Sequence, residues 1–98
     1  MVNAVVLINV ARGQIPTVAE AVAAIPGVSE VFSVAGRVDL VATLRVKTNE
    51  EIADLVAARL SAMPGIVSTE TLIAFRVYNR VDLEGAFSIG FDESSPPS

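Results

Sequence analysis

Ile25-Pro26-Gly27-Val28 and Met63-Pro64-Gly65-Ile66 are two copies of one short pattern. Each follows a stretch with apolar residues at helical spacing, and each opens a β-like run. Their offset of about 38 residues is the scale of one supersecondary unit. Pro cannot continue a helix and Gly accepts a positive φ, so the pair marks a helix stop. The chain therefore reads as strand, helix, strand, then strand, helix, strand again.

Working outward from these stops, Val2 to Val10 is nearly all apolar and β-branched, as in a central strand buried on both faces. Arg12-Gly13 turns into a first helix from about Ile15 to Ile25. Pro16 suits its first turn, while Thr17 with Glu20 also fits a capping box. A second strand is expected from about Val28 to Val34. Gly36-Arg37 then makes a tight hairpin link into a third strand, about Val38 to Val46. Thr48-Asn49-Glu50-Glu51 is a helix start, with Thr48 and Glu51 as capping partners. Ile52, Leu55, Val56, Leu60 and Met63 supply that helix with an apolar face. A long fourth strand is expected from about Ile66 to Tyr78. Asp82 is a candidate cap for a short helix carrying Leu83 and Phe87, within an extension over residues 81–91. The polar, Pro-rich stretch 92–98 is expected to be disordered. Residues 1–80 then form one domain.

The βαββαβ order, with right-handed crossovers, puts both helices on one side of one antiparallel sheet. The fold class is α+β, a ferredoxin-like sandwich with strand order 4-1-3-2. Apolar side chains are expected on both faces of strands 1 and 4: Val5 and Leu7 alternate with Val6 and Ile8, and Ile73, Phe75 and Val77 with Leu72 and Ala74. Large bare apolar patches are rare on soluble monomers. At about 25 cal/mol per Å² the hidden face is worth many kcal/mol, and a second copy packed sheet to sheet is the simplest cover. With 52% hydrophobic residues in 98, the composition also points to a homodimer.

Composition excludes several function classes. The chain has no Cys and no His, which removes disulfides, thiolate chemistry, the commonest metal ligand and the commonest general base. Its seven basic residues are scattered in a chain of net charge −4, so no nucleic-acid footprint forms. No stretch approaches the roughly 20 apolar residues of a membrane span, and no signal segment is evident; the expected compartment is the cytoplasm. No phosphate-cradling Gly-rich motif occurs. Glu50, Glu51 and Asp54 sit at a helix start and on a wet face, where capping and solubility account for them. No feature argues for an enzyme, and no cofactor is expected.

Two local features stand out. Gly36-Arg37-Val38-Asp39 reads either as a plain hairpin turn, with Asp39 accepting backbone N–H groups, or as a loop of open amides beside a carboxylate, suited to a small zwitterion. Thr69-Glu70-Thr71 puts two hydroxyls on one strand face, though Thr also simply favours strands.

Both features also belong to a family. Val5 to Val10, Ile25-Pro26-Gly27-Val28, Ser33 to Leu40 and Pro64 to Phe75 resemble, in order and spacing, the effector-binding (RAM) domain of the Lrp/AsnC transcription regulators. The resemblance covers about residues 2–78. It implies the same βαββαβ sandwich, dimers that assemble further, often to octamers, and an amino-acid effector held where dimers meet. Carried over position by position, the family's G-x-[YF]-D loop falls on Gly36, Arg37, Val38 and Asp39, and its T-x-T strand element on Thr69 and Thr71. The implied roles are amide donation around Gly36 to Val38, pairing of Asp39 with an α-ammonium, and hydroxyl bonds from the threonines. Val38 stands where the family usually has an aromatic, which weakens a stacking contact.

The first strand begins at Val2, so no helix-turn-helix domain is expected ahead of it. A domain of this kind is expected to sense an amino acid, to co-assemble with full-length Lrp/AsnC regulators, or both. The hairpin and the start of the fourth strand are expected at opposite ends of the sheet, so that a site using Asp39 and Thr69 together draws on more than one chain. The rival readings are a small dimeric α+β-barrel enzyme of monooxygenase or isomerase type, and a purely structural oligomerisation partner.

Overall fold

The computed structural model describes residues 1–78 and 80. The expected helix at Asp82 and the tail 92–98 lie outside the described residues. The elements are β1 (Val2–Val10), α1 (Ile15–Ala23), β2 (Val28–Ser33), β3 (Leu40–Val46), α2 (Asn49–Asp54), a π-helical segment (Leu55–Leu60) continuing from α2, and β4 (Ile66–Ile73). The four strands form one antiparallel sheet in the order β2-β3-β1-β4, which is the expected order read from the other edge.

One face of this sheet carries the core. Ala4, Val6 and Ile8 of β1 and Leu40, Ala42, Leu44 and Val46 of β3 are buried against Val18, Val22 and Ile25 from the first helical stretch and Ile52, Leu55 and Leu60 from the second. Alternation along the strands explains why these residues, and not their neighbours, turn inward.

The two Pro-Gly stops are where the halves meet. Gly27 and Gly65 have φ of 99° and 95°. A Cβ on Gly27 would stand 2.9 Å from Val46 Cγ1 and 3.2 Å from Leu55 Cδ1; one on Gly65 would stand 2.7 Å from Val18 Cγ2. The stop that follows α1 thus packs on the second helix, and the stop that follows the second helix packs on α1. The backbone repeats the exchange: the Arg45 amide donates to the Gly27 carbonyl at 2.8 Å, and the Ala11 amide to the Gly65 carbonyl at 2.7 Å.

The helix ends have local causes. Pro16 lies in the first turn of α1, whose N-cap is Gln14 with no side-chain capping bond, so the Thr17–Glu20 alternative is not used. α1 ends at Ala23, two residues before the expected Ile25, and its last amide there tightens onto Val22 ahead of Pro26. α2 has the expected capping box: Thr48 Oγ1 accepts from the Glu51 amide at 3.2 Å, and Glu51 Oε2 accepts from the Thr48 amide at 3.0 Å.

The continuation into π geometry was not expected. Leu55 and Leu60, five residues apart, are both buried. On an α-helix five residues at about 100° each would point them to different sides. An i→i+5 turn brings them together, and the Ser61 amide and hydroxyl both reach the Val56 carbonyl, at 3.1 and 3.0 Å.

Three expectations need correction. β4 stops at Ile73, not Tyr78: Ile73 pairs with Ala4, the Ala74 amide makes one more bond to the Asn3 carbonyl, and β1 itself begins at Val2, so no partner reaches as far as Tyr78. β3 starts at Leu40 rather than Val38, so the β2–β3 link is a longer loop, closed by the Val34 amide on the Asp39 carbonyl at 3.0 Å. The open sheet face is apolar at its centre, and β4 adds Leu72, 47% exposed, beside Glu70, while the rest of the expected run, from Ala74 on, lies past the end of the strand. Leu7 sits between Val41 and Glu70, and Val5 between Thr43 and Leu72. Phe32, opposite Val41 on β2, extends the patch and is 47% exposed.

Candidate functional site

Asp39 immediately precedes β3. Its amide donates to the Ile8 carbonyl at 3.0 Å, and its Oδ2 accepts from the Val10 amide at 2.8 Å. The side chain stands in for the backbone acceptor that β1 lacks once the register pairs end at Ile8 and Leu40. Asp39 therefore does accept a backbone amide, but that of Val10 on β1 rather than one in the β2–β3 loop. Gly36, at the exposed tip of the loop, has φ 145° and open space where a Cβ would be. Arg37 is exposed and Val38 half-buried.

Thr69 and Thr71 lie on β4 opposite Ile8 and Val6, so both share the helix-side face of the sheet. They are half-buried, and among the described residues no hydrogen bond occupies either hydroxyl. β4 is an edge strand, so these hydroxyls stand at a margin that a ligand or a neighbouring subunit can approach.

The expectation that Asp39 and Thr69 lie at opposite ends of the sheet is wrong. Ile8 pairs with Leu40 on one side and with Thr69 on the other. Antiparallel neighbours of β1 both begin where β1 ends, and that places the two residues at one end of one subunit. Two strand spacings of 4.7–4.9 Å put about 10 Å between the strands that carry them. The argument for an intersubunit site from separated ends therefore falls. What remains is that this sheet end is open: none of the six residues lines either of the cavities, of about 470 and 520 Å³, found elsewhere on the chain.

Two further residues belong to this end and were not singled out in the sequence. Asn9 Nδ2 donates to Ser68 Oγ at 3.2 Å. Beside them the register slips: Ser68 pairs with Asn9 but Ile66 with Val10, so Val67 bulges out, 68% exposed. Bulges at sheet edges are common where a strand re-aims side chains. Asn9 was visible as the polar interruption of an apolar strand; Ser68, 59 residues away, had no comparable signal.

Among the described residues no group of His, Cys, Asp and Glu could hold a metal ion, and no helix is long and apolar enough to cross a membrane.

Comparison with known proteins gives this geometry a family. The family model for the Lrp/AsnC ligand binding domain matches residues 3–82. An uncharacterised HTH-type transcriptional regulator of Pyrococcus horikoshii is 43% identical over 58 residues, covering 59% of this chain but only 39% of the regulator. A Thermus thermophilus protein of known crystal structure is 44% identical, with a TM-score of 0.77 over 82% of this chain and all of that one. A transcriptional regulator from Neisseria meningitidis, solved as a complex with L-Met, is 14% identical and shares the fold, with a TM-score of 0.73 over 80% of this chain and 52% of its own. Family match and strand order agree, and the chain belongs to the Lrp/AsnC ligand binding domain family.

Proposed function

We propose that this domain binds an amino acid at the sheet end formed by the Gly36–Asp39 loop and the Thr69–Thr71 margin, where subunits meet, and that it modulates transcription by co-assembling with full-length Lrp/AsnC-type regulators. One observation carries the reading. Asp39, the bulged start of β4 and the unoccupied Thr69 hydroxyl stand at one open end of one sheet, with the unoccupied Thr71 hydroxyl further along the same strand face. A small zwitterion needs a carboxylate, hydroxyls and amide donors, all of which this end supplies. An open end binds a small ligand well only when a second surface closes over it, and a neighbouring subunit provides one.

The open sheet face supports the assembly itself. Its apolar centre of Leu7, Val41 and Phe32 is bordered by Glu30, Glu70 and Arg45, a pattern suited to a homodimer that buries the centre and wets the rim. Further assembly, to an octamer in the extreme, would then bring the Thr69 margins of neighbouring dimers together. The kinship with regulators points away from the small-enzyme reading.

Calorimetric titration of the assembled protein with each amino acid tests the site. Saturable binding of one or a few, weakened about tenfold by Thr71→Val, is the expected result. Thr71→Val keeps the β-branched shape and removes only the hydroxyl. Silence across the set at millimolar ligand leaves the structural-partner reading in its place. Pull-down with a full-length regulator, with and without amino acids, tests the co-assembly.

A further inference from the structure

At the sheet end away from Asp39, beside the pair Val2 and Val46, lies a cavity of about 470 Å³. Its size falls within the roughly 300–1,000 Å³ of ordinary small-molecule pockets. Ile25, Val46 and Leu55, all buried core residues, line it. Three of the chain's seven basic residues, Arg45, Lys47 and Arg59, line it as well, together with Glu51 and Asp54.

The cations here are not paired off. The Glu51 carboxylate is held in the cap of α2, accepting from the amides of Lys47 and Thr48 at 3.0 Å each, and keeps its charge there. Arg45 belongs by alternation to the open sheet face, which leaves Lys47 and Arg59 beside the hollow with no ion pair among the described residues. Two unpaired cations next to an apolar wall, in a chain of net charge −4, are a local attraction for an anion.

The π-helical segment is a second and independent sign. It contributes Leu55, Ala58 and Arg59 to the cavity, an apolar wall, a small residue and a cation from one turn. π turns are rare and frequently lie at functional sites. Here the widened turn holds Leu55 and Leu60 in the core and gives Ala58 and Arg59 to the same hollow.

We propose that this cavity binds a small amphiphilic carboxylate, its aliphatic or aryl tail against Ile25, Val46 and Leu55 and its anionic head on Lys47 and Arg59. A guanidinium matches a carboxylate in two parallel hydrogen bonds, and the buried floor takes the apolar tail out of water. The site is separate from the Asp39–Thr69 end and does not depend on a ligand there.

Titration of the full-length, ¹⁵N-labelled chain with octanoate, followed by two-dimensional NMR, tests this. Saturable shifts centred on the amides of Gly27, Lys47, Ala58 and Arg59 are expected. Octanol and octylamine, with the same tail but no negative charge, should bind at least tenfold more weakly. Lys47→Gln and Arg59→Gln, both at exposed positions, should each weaken octanoate about tenfold. Ala58→Trp, also exposed, should fill the hollow and abolish binding while thermal unfolding stays cooperative. The proposal is overturned if the shifts centre elsewhere, if octylamine binds as tightly as octanoate, if no saturation is reached, or if both charge variants bind undiminished.

Discussion

The carboxylate of Asp39 accepts a hydrogen bond from the backbone amide of Val10 at 2.8 Å, 29 residues away in the chain. It ties the β2–β3 loop to the end of β1, next to the β-bulge that starts β4. A residue proposed to contact an effector thus also holds its own loop in place.

Asp39→Ala leaves the half-buried Val10 amide without its acceptor. A loss of about 1–2 kcal/mol in unfolding free energy is expected, read by chemical denaturation. Asp39→Asn retains an acceptor oxygen and should recover most of that loss. If Asp39→Ala unfolds like the wild type, the bond contributes nothing to the frame. Asp39→Asn is also the cleaner probe of ligand binding, since it removes the charge and keeps the hydrogen bond.

The glycines of the two Pro-Gly stops separate backbone strain from steric contact. Gly13, at φ 79° with nothing within 4 Å of a Cβ, should lose about 1 kcal/mol on substitution by Ala, from the backbone alone. Gly65→Ala adds a Cβ 2.7 Å from Val18 Cγ2, and Gly27→Ala one 2.9 Å from Val46 Cγ1. Both should lose about 1–3 kcal/mol more than Gly13→Ala, since a packed core gives way only at a cost. Denaturation midpoints of the three variants check the order; equal losses would mean that the close approach relaxes freely.

Phe32→Glu tests the open face. Phe32 is already 47% exposed in one subunit, so a charge there should leave the fold intact, with unchanged circular dichroism. Buried in a dimer opposite Val41, that charge would have to be desolvated without a partner. Sedimentation should then show the variant as a folded monomer at concentrations where the wild type is dimeric. A variant that sediments with the wild type places the interface elsewhere.

Local signals in the sequence carried the architecture. The first Pro-Gly stop placed the end of α1 within two residues, and Thr48 with Glu51 formed the capping box read from their spacing. The strand order followed from the handedness of the crossovers. What the sequence left hidden depends on where other strands begin and end. β4 cannot run to Tyr78 because β1 begins at Val2, a limit invisible in the apolar run itself. The placement of Asp39 and Thr69 at one end follows from pairing through Ile8, a relation among three distant segments. The five-residue step from Leu55 to Leu60 was there to be seen, but within one apolar face it passed for an ordinary helix.

The reciprocal seating of Gly27 against Leu55, and of Gly65 against Val18, bears on how such a chain can be taken apart. Each repeat carries a notch that only its sibling fills. Excised alone, either half would be a peptide with an empty socket and no reason to fold. Mixed as two fragments cut within the Gly36 loop, they should find each other and restore the sheet.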